Sequence, residues 1–330
     1  MQDKIAVIGG GSWGTSLASL ISENGFETIL FALEEEVVDS VNKTHRNNLY
    51  LKGIDLNKKL SACLLNDFKN YSFNKILWVV PTQFSRKIAE QFKDNLLNTN
   101  IIIATKGIEI STGDLIINIM TEVLNAKFSI LSGPSFAKEV ALKKPTAVSV
   151  ASANIEDANM WQKIFSNEYF RVYTSTDVIG VEVGGAMKNV IAIATGIADG
   201  LGFGNNARAG LITRGLAEIT RLGVNLGGKH ETFMGLSGLG DLVLTCTGDL
   251  SRNRQFGLKI AQGLNTQKIL SDMTMVAEGV FTSKAVYGLS KKLDIEMPIS
   301  SEVYKIIYKN KKPYDSVIDL MNRPLKEEKV

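Results

Sequence analysis

The chain has 330 residues, 45% of them hydrophobic, enough for two domains with sizeable cores and too many for one small domain. Its 37 basic and 34 acidic residues leave a net charge of +3 with no basic block, so no nucleic-acid partner is expected and small anionic ligands remain compatible. Cys63 and Cys246, and His45 and His230, stand far apart, which argues against a disulfide framework, a metal-ligand cluster or a histidine-rich metal site.

These counts predict a reducing cytoplasm, two free thiols and no metal. The opening MQDKIAVIGGGSWG enters a strand almost at once, without the charged region, apolar stretch and cleavage site of a secretory signal. No apolar run approaches the ~18 residues of a membrane helix, so no membrane insertion is expected. No internal repeat or low-complexity tract is visible, and only the tail LKEEKV reads as loose.

KIAVIGGGSWGTSLASLISENG reads as a short buried strand, a glycine turn and a helix, and ETILFALEEE as a second strand. NKILWVVPTQFSRKIAEQF adds a strand and a following helix. NIIIATKGIEISTGDLIINIM repeats the pattern, FSILSGPSFAKEV does so in shorter form, and PTAVSVAS and YFRVYTST are further strands. Short apolar strands alternating with helices predict a mostly parallel, doubly wound α/β sheet of Rossmann type, covered on both faces.

Near residue 180 the apolar spacing becomes helical. Leu211, Ile212, Leu216, Ile219 and Leu222 mark one face of one helix. In EMPISSEVYKIIYK, Pro298 stands at a helix start and the sequence then turns amphipathic. The expected organisation is a dinucleotide-binding α/β domain over 1–182 and an all-helical domain over 183–330. Residues 234–254, MGLSGLGDLVLTCTGDLSRNR, read as an irregular interruption, and long irregular connections inside helical domains are usually functional.

Gly9-x-Gly11-x-x-Gly14 follows a strand and opens a helix, the context a dinucleotide fingerprint requires. Its glycines allow a tight turn and let a pyrophosphate approach the backbone and rest on the helix N-terminus. The alternative is a merely structural turn. At the end of the second strand, Leu33 is apolar and Glu34 acidic, a placement suited to the ribose hydroxyl of NAD and repulsive to the 2′-phosphate of NADP. Glu34 to Glu36 read equally as the solvated start of a helix.

Lys106 stands just past a strand's carboxyl end, where open α/β sheets bind ligands, or is a solvated loop lysine. Gly133 and Ser135 offer turn chemistry or an anion site at a helix start. Ser251, Arg252, Asn253 and Arg254 read as an N-cap with exposed arginines or as a phosphate site. Lys188 lies in GGAMKNVIAIATGIADG, where burial would lower its proton affinity and a second cation such as Lys106 would lower it further. Such a lysine is a general base for an alcohol and a general acid for a ketone. A snorkelling surface lysine is the other reading.

Together these segments closely resemble the NAD(P)-dependent glycerol-3-phosphate dehydrogenases in their bacterial form, in order from Ile5 to roughly Tyr314. The carrying segments are GGGSWGTSLA, VVPTQF, ATKGIE, SGPSFAKE, GLSGLGDLVLTCT, SRNRQFG, VAEG, EMPI and the long run from FRVYTST to EITRLG. The resemblance implies a C-terminal region of the 6-phosphogluconate-dehydrogenase-like helical architecture and a homodimer. It implies reversible hydride transfer between C2 of sn-glycerol 3-phosphate and the nicotinamide, mostly reducing dihydroxyacetone phosphate for phospholipid synthesis.

By the same resemblance Lys188 is the catalytic proton acceptor in oxidation, Lys106 is shared by cofactor and substrate, and Asp241 and Thr245 lie beside the lysine. Gly133 and Ser135 contact substrate, and Ser251, Arg252 and Asn253 hold its phosphate, with Arg252 also reaching the cofactor. Ser12, Trp13, Phe84, Ala137, Val276 and Glu278 join Gly9, Gly11 and Gly14 as cofactor contacts. Leu33 departs from the basic residue common in bacterial members, which favours NAD over NADP, while Phe31 in place of tryptophan is neutral. Cys246 reads as a packed, unreactive thiol. Two competing readings are a related dehydrogenase acting on a 3-hydroxy acid or sugar acid, and a catalytically silent dinucleotide binder. SRNRQFG and GLGDLVLTCT argue against the first, and retention of Lys106, Lys188, Asp241, Arg252 and Asn253 argues against the second.

Overall fold

Alternation within the strands decides the two faces of the sheet. In β1 (Lys4–Ile8), Ile5 and Val7 enter one buried cluster while Ala6 and Ile8 enter another. The same split recurs in β2 (Glu27–Ala32), β4 (Lys75–Trp78) and β5 (Asn100–Ile103), so these strands are apolar on both sides. β3 (Ser61–Leu64), β6 (Lys127–Ser132), β7 (Thr146–Ser152) and β8 (Phe170–Ser175) complete one sheet of order β3-β2-β1-β4-β5-β6-β7-β8. The computed structural model describes residues 4–325, 327 and 328.

Neighbouring strands are parallel except β6 and β7, so β7 and β8 run against the other six. Strand order reverses beside β1, and the crevice at such a switch point is where open α/β sheets bind ligands. Helices cover both faces, as the double apolar pattern requires. β3 was not legible in the sequence. It has four residues at the sheet edge, only one of them fully buried, and so lacks an apolar run.

After β8 the chain is helical. The helix Val178–Gly200, here the lysine helix, is buried almost throughout and forms the axis of the third core cluster. Asp177 caps it, accepting from the Gly180 N–H at 2.9 Å. The expected boundary between 182 and 183 falls inside this helix, and no linker separates sheet from helices there.

This helix also corrects the expectation that no apolar run reaches membrane length. It is long and apolar enough to cross a membrane by length and composition, but 89% of its most apolar stretch is buried inside the protein. A helix apolar all round is what a core axis requires. The helix Gly204–Asn225 packs Ile219 and Leu222 into that core, with Leu211, Ile212 and Leu216 partly buried against it. Helices Glu278–Lys292 and Pro298–Lys309 close the region, the latter with Pro298 in its first turn.

The expected irregular interruption at 234–254 is mostly helical. A π turn over Leu236–Gly240 runs into the helix Asp241–Thr247, and after a short break comes the helix Arg252–Ala261. The glycines that suggested a loop serve close packing instead: a Cβ on Gly238 would strike the Phe233 backbone. π turns are frequent at functional sites, and this one delivers Asp241. Of the tail LKEEKV, residues 326, 329 and 330 lie outside the described residues, as do residues 1–3 of the opening segment.

Candidate active site

The carboxyl edge of the parallel strands gathers the sheet's candidates. Gly9 follows β1, Glu34 follows β2, Lys106 follows β5 and Gly133 follows β6, and Phe84 lies in the helix Thr82–Gln91 that follows β4. Gly9 has φ +123°, and a Cβ on Gly14 would collide with the Gly9 carbonyl oxygen, so the turn is closed by backbone contact. Gly11 differs: nothing lies within 4 Å of a Cβ built there. It is the N-cap residue of the helix Ser12–Glu23, which has no side-chain cap, and the buried Trp13 Nε1 has no hydrogen-bond partner. Free N–H donors at an uncapped helix start beside an open glycine fit the pyrophosphate of a dinucleotide.

Opposite this edge, the lysine helix presents Lys188. The side chain is not a snorkelling one: the residue is 8% exposed. Its Nζ donates to Asp241 Oδ1 at 2.6 Å and to Thr245 Oγ1 at 2.8 Å. Lys106 reaches the other carboxylate oxygen, donating from Nζ to Asp241 Oδ2 at 2.7 Å and to the Gly133 carbonyl at 3.2 Å. Ser135 Oγ donates to that same carbonyl at 2.9 Å. One buried carboxylate thus holds two ammonium groups from different regions of the chain.

The approach of Lys106 depends on Gly185, one turn before Lys188. A Cβ there would lie 2.5 Å from Ser132 Oγ and 3.5 Å from the Lys106 side chain. Burial lowers the Lys188 pKa to about 8, with the Lys106 charge adding to that effect and Asp241 opposing it. Burial by itself would raise Asp241, but the two lysines outweigh it and hold the carboxyl below its usual range. Nearby, burial pushes the Cys246 thiol up to about 12, which suits a packed, unreactive side chain.

The Ser251–Arg254 stretch satisfies part of its bland reading. Ser251 is the N-cap, its Oγ accepting from the Arg254 N–H at 3.2 Å. Arg254 is buried and ion-paired, whereas Arg252 is exposed. Asn253 Nδ2 donates to Asn189 Oδ1 at 2.9 Å, and its Oδ1 accepts from the Gly279 N–H at 3.0 Å. Asn189, missed in the sequence, therefore ties this turn to the residue next to Lys188. An amide beside the lysine was the available signal, but an asparagine in a helix has no pattern of its own.

Glu278 bridges the regions, its Oε1 accepting from the Thr82 N–H at 3.0 Å. Burial raises its pKa to about 7. Ala137 joins the glycine-turn helix through its carbonyl, which accepts from Ser16 Oγ at 2.8 Å. Hydrogen bonds among the described residues do not tie Trp13, Phe84, Arg252 or Val276 to the lysine cluster. Phe84 is 56% exposed and Val276 half-buried. Glu34 to Glu36 do start a helix: Glu34 is the N-cap of Glu35–Thr44, with Glu35 and Glu36 exposed in its first turn. Glu34 is also held, Tyr50 OH donating to its Oε1 at 2.7 Å, while Leu33 is exposed.

A glycine turn at the switch point of a parallel sheet, faced by a buried lysine pair on one aspartate, defines a nicotinamide-dependent dehydrogenase of two-region architecture. Residues 4–158 match the NAD-dependent glycerol-3-phosphate dehydrogenase N-terminus and residues 177–318 match the C-terminus. A glycerol-3-phosphate dehydrogenase [NAD(P)+] of Citrifermentans bemidjiense is 50% identical over the full length of both chains. The crystal structure of glycerol-3-phosphate dehydrogenase from Coxiella burnetii superposes with a TM-score of 0.93 at 39% identity, covering 98% of this chain and 99% of that one. That of Saccharomyces cerevisiae gives 0.82 at 28% identity, covering 98% and 100%. The chain belongs to the NAD-dependent glycerol-3-phosphate dehydrogenase family.

Proposed function

We propose that this chain catalyses reversible hydride transfer between sn-glycerol 3-phosphate and dihydroxyacetone phosphate, running mostly towards glycerol 3-phosphate and so supplying phospholipid synthesis. The observation that carries the reading is the buried Lys188 ammonium, held 2.6 Å from Asp241 at the ligand-binding edge of the sheet, in a chain of this family. When bound, NAD(P)(H) supplies the redox chemistry, giving or taking hydride at C2.

Lys188 gives a proton to the C2 oxygen in reduction and takes it back in oxidation. A pKa of about 8 lets it serve both directions near neutral pH. Lys106 sets a second cation beside the oxygen where negative charge grows. Asp241 keeps both ammonium groups aimed, and Thr245 fixes the Lys188 side chain. Gly133 and Ser135 complete the substrate cleft. Ser251, Arg252 and Asn253 hold the phosphate through the start of their helix and the Arg252 guanidinium.

Gly9, Gly11, Ser12, Trp13, Gly14, Phe84, Ala137, Val276 and Glu278, with Lys106 and Arg252, contact the dinucleotide. Glu34, oriented by Tyr50, accepts from the adenosine ribose, and with Leu33 in place of a cation this favours NAD over NADP. Residues 1–182 act as the dinucleotide-binding domain and 183–330 as the substrate and catalytic domain, in a cytoplasmic homodimer.

The test is the initial rate of NADH and of NADPH oxidation, at matched concentrations, with dihydroxyacetone phosphate. Turnover is expected with both and faster with NADH. No turnover with either would return the chain to the related dehydrogenases or to a silent binder.

A further inference from the structure

Lys188 and Asp199 are eleven residues apart in one unbroken helix. At about 100° per residue that is three turns and a small remainder, so both side chains leave the same face, about 16 Å apart along the axis. Asp199 is gripped from two sides. Arg254 donates from Nε and Nη2 to Oδ2 at 2.9 and 2.8 Å. Arg208 donates from Nε to Oδ1 at 2.8 Å, with its Nη2 also 2.8 Å from that oxygen. The remaining arm of Arg254, Nη1, donates to Asp249 Oδ1 at 2.8 Å.

The Asp199 and Arg254 side chains are 6% and 10% exposed. A pair so buried is held only if its geometry is well satisfied, unlike surface pairs that form and break freely. Arg254 shares a helical turn with Arg252 and Asn253, and its N–H is the one that Ser251 caps. Where its helix crosses the lysine helix, a Cβ on Gly196 would strike the Arg254 carbonyl oxygen. The Ser251–Arg254 turn is therefore pinned to the lysine helix at two points, Asn189 through Asn253 and Asp199 through Arg254.

We infer that Asp199, acting through Arg254 and Arg208, is a positioning residue for the substrate phosphate: it sets the distance between the phosphate-holding turn and the Lys188 ammonium. The inference rests on the reading of Ser251, Arg252 and Asn253 as that turn. The substrate is short, so its phosphate and its C2 oxygen span only a narrow range of distances, and the protein must hold the two sites within it. A helix carrying both reference points, Lys188 and Asp199, does this without touching the substrate, because the forks of Arg254 and Arg208 are taken up by aspartates. The role also gives a place to Arg208 in GLGFGNNARAG, a segment otherwise without a function.

The test compares dihydroxyacetone phosphate with unphosphorylated dihydroxyacetone in the wild type and in Asp199→Asn, Arg254→Lys and Arg252→Ala. Misplacing a bound group by about 1 Å can cost ~10²-fold, so the ratio of kcat/KM values, phosphorylated over unphosphorylated, should fall roughly tenfold or more in Asp199→Asn and Arg254→Lys. The loss should sit mainly in KM, and the inhibition constant of inorganic phosphate should rise in parallel, which gives the comparison without turnover. Arg254→Lys keeps the charge and loses the planar fork, so it carries the test if Asp199→Asn does not fold.

An equal loss on both substrates, or no change in the ratio or in phosphate inhibition, makes the ion pair a structural one and overturns the inference. Arg252→Ala separates the layers. If it alone collapses the ratio, only the positioning role fails. If it leaves the ratio unchanged, the phosphate assignment beneath that role fails with it.

Discussion

Lys188 and Asp241 meet at 2.6 Å inside the protein, 53 residues apart in sequence, and the same aspartate holds Lys106 through its other oxygen. Two cations sharing one carboxylate leave a net positive centre in a largely buried site. That charge suits an oxygen that becomes negative during reaction.

Removing the ammonium should remove the chemistry and spare the cofactor. Lys188→Ala is expected to bind NADH as the wild type does while kcat falls by at least ~10²-fold, the low end for a general acid–base group. Stopped-flow binding with steady-state turnover checks both halves, and normal turnover would sink the assigned role. In the wild type the reduction of ketone needs the ammonium, so its rate should fall as pH rises through about 8. Oxidation needs the free amine and should rise through the same value. In Asp241→Asn the counter-charge is gone, and both profiles should move to lower pH.

Two glycines of one fingerprint should answer differently to alanine. Gly14→Ala meets the Gly9 carbonyl oxygen and should destabilise the fold, lowering Tm. Gly11→Ala meets no protein atom, and its φ of −66° suits alanine, so Tm should hold. Its methyl group fills the space offered to the pyrophosphate, and NADH affinity should fall roughly tenfold or more, about 1.4 kcal/mol. Thermal melts and NADH fluorescence titration of the two variants decide the matter; loss of Tm in Gly11→Ala would mean the turn, not the ligand, needs that glycine.

Cofactor choice is expected to follow the end of β2. Glu34→Arg replaces a carboxylate with a cation suited to the 2′-phosphate and should shift the kcat/KM ratio towards NADPH by at least ~10-fold. Tyr50→Phe removes the donor that orients Glu34 and should weaken NADH binding without improving NADPH. An unchanged ratio in Glu34→Arg would place the ribose elsewhere.

Glu182 should make stability pH-dependent. It is buried, and its Oε1 accepts from the Ile117 N–H at 3.1 Å. Burial raises its pKa to about 8, opposed by that backbone donor. With the folded value above the unfolded 4.5, the native state binds more protons between the two. Its contribution is therefore complete below about pH 4.5 and is lost progressively up to about pH 8. Glu182→Gln keeps the acceptor without the charge, so Tm should exceed the wild type's at pH 8–9, by the order of a few kcal/mol of stability, and approach it in acid. Parallel Tm–pH curves for the two proteins would rule out this account.

The sequence by itself determined the sheet-then-helix order, the glycine turn and the ligand edge. Each is a local pattern: apolar strands of period two, glycines at fixed spacing, and residues just past strand ends. It also singled out Lys188, because a lysine inside a small-residue helix violates the burial rule. Local pattern could not show that Asp241 pairs both lysines, that Asn189 links Asn253 to the catalytic helix, or that Tyr50 holds Glu34. Those contacts join residues 16 to 135 positions apart and exist only once the chain has folded. The same limit explains the errors. Glycines at 235–240 looked like a loop because one sequence cannot say whether a missing side chain frees the backbone or admits a neighbour. The lysine helix escaped notice as a span-length apolar segment because two of its three charged residues, Glu182 and Lys188, broke the apolar run. Tertiary packing keeps the first as a buried helix cap and gives the second its partner, and that decided the site.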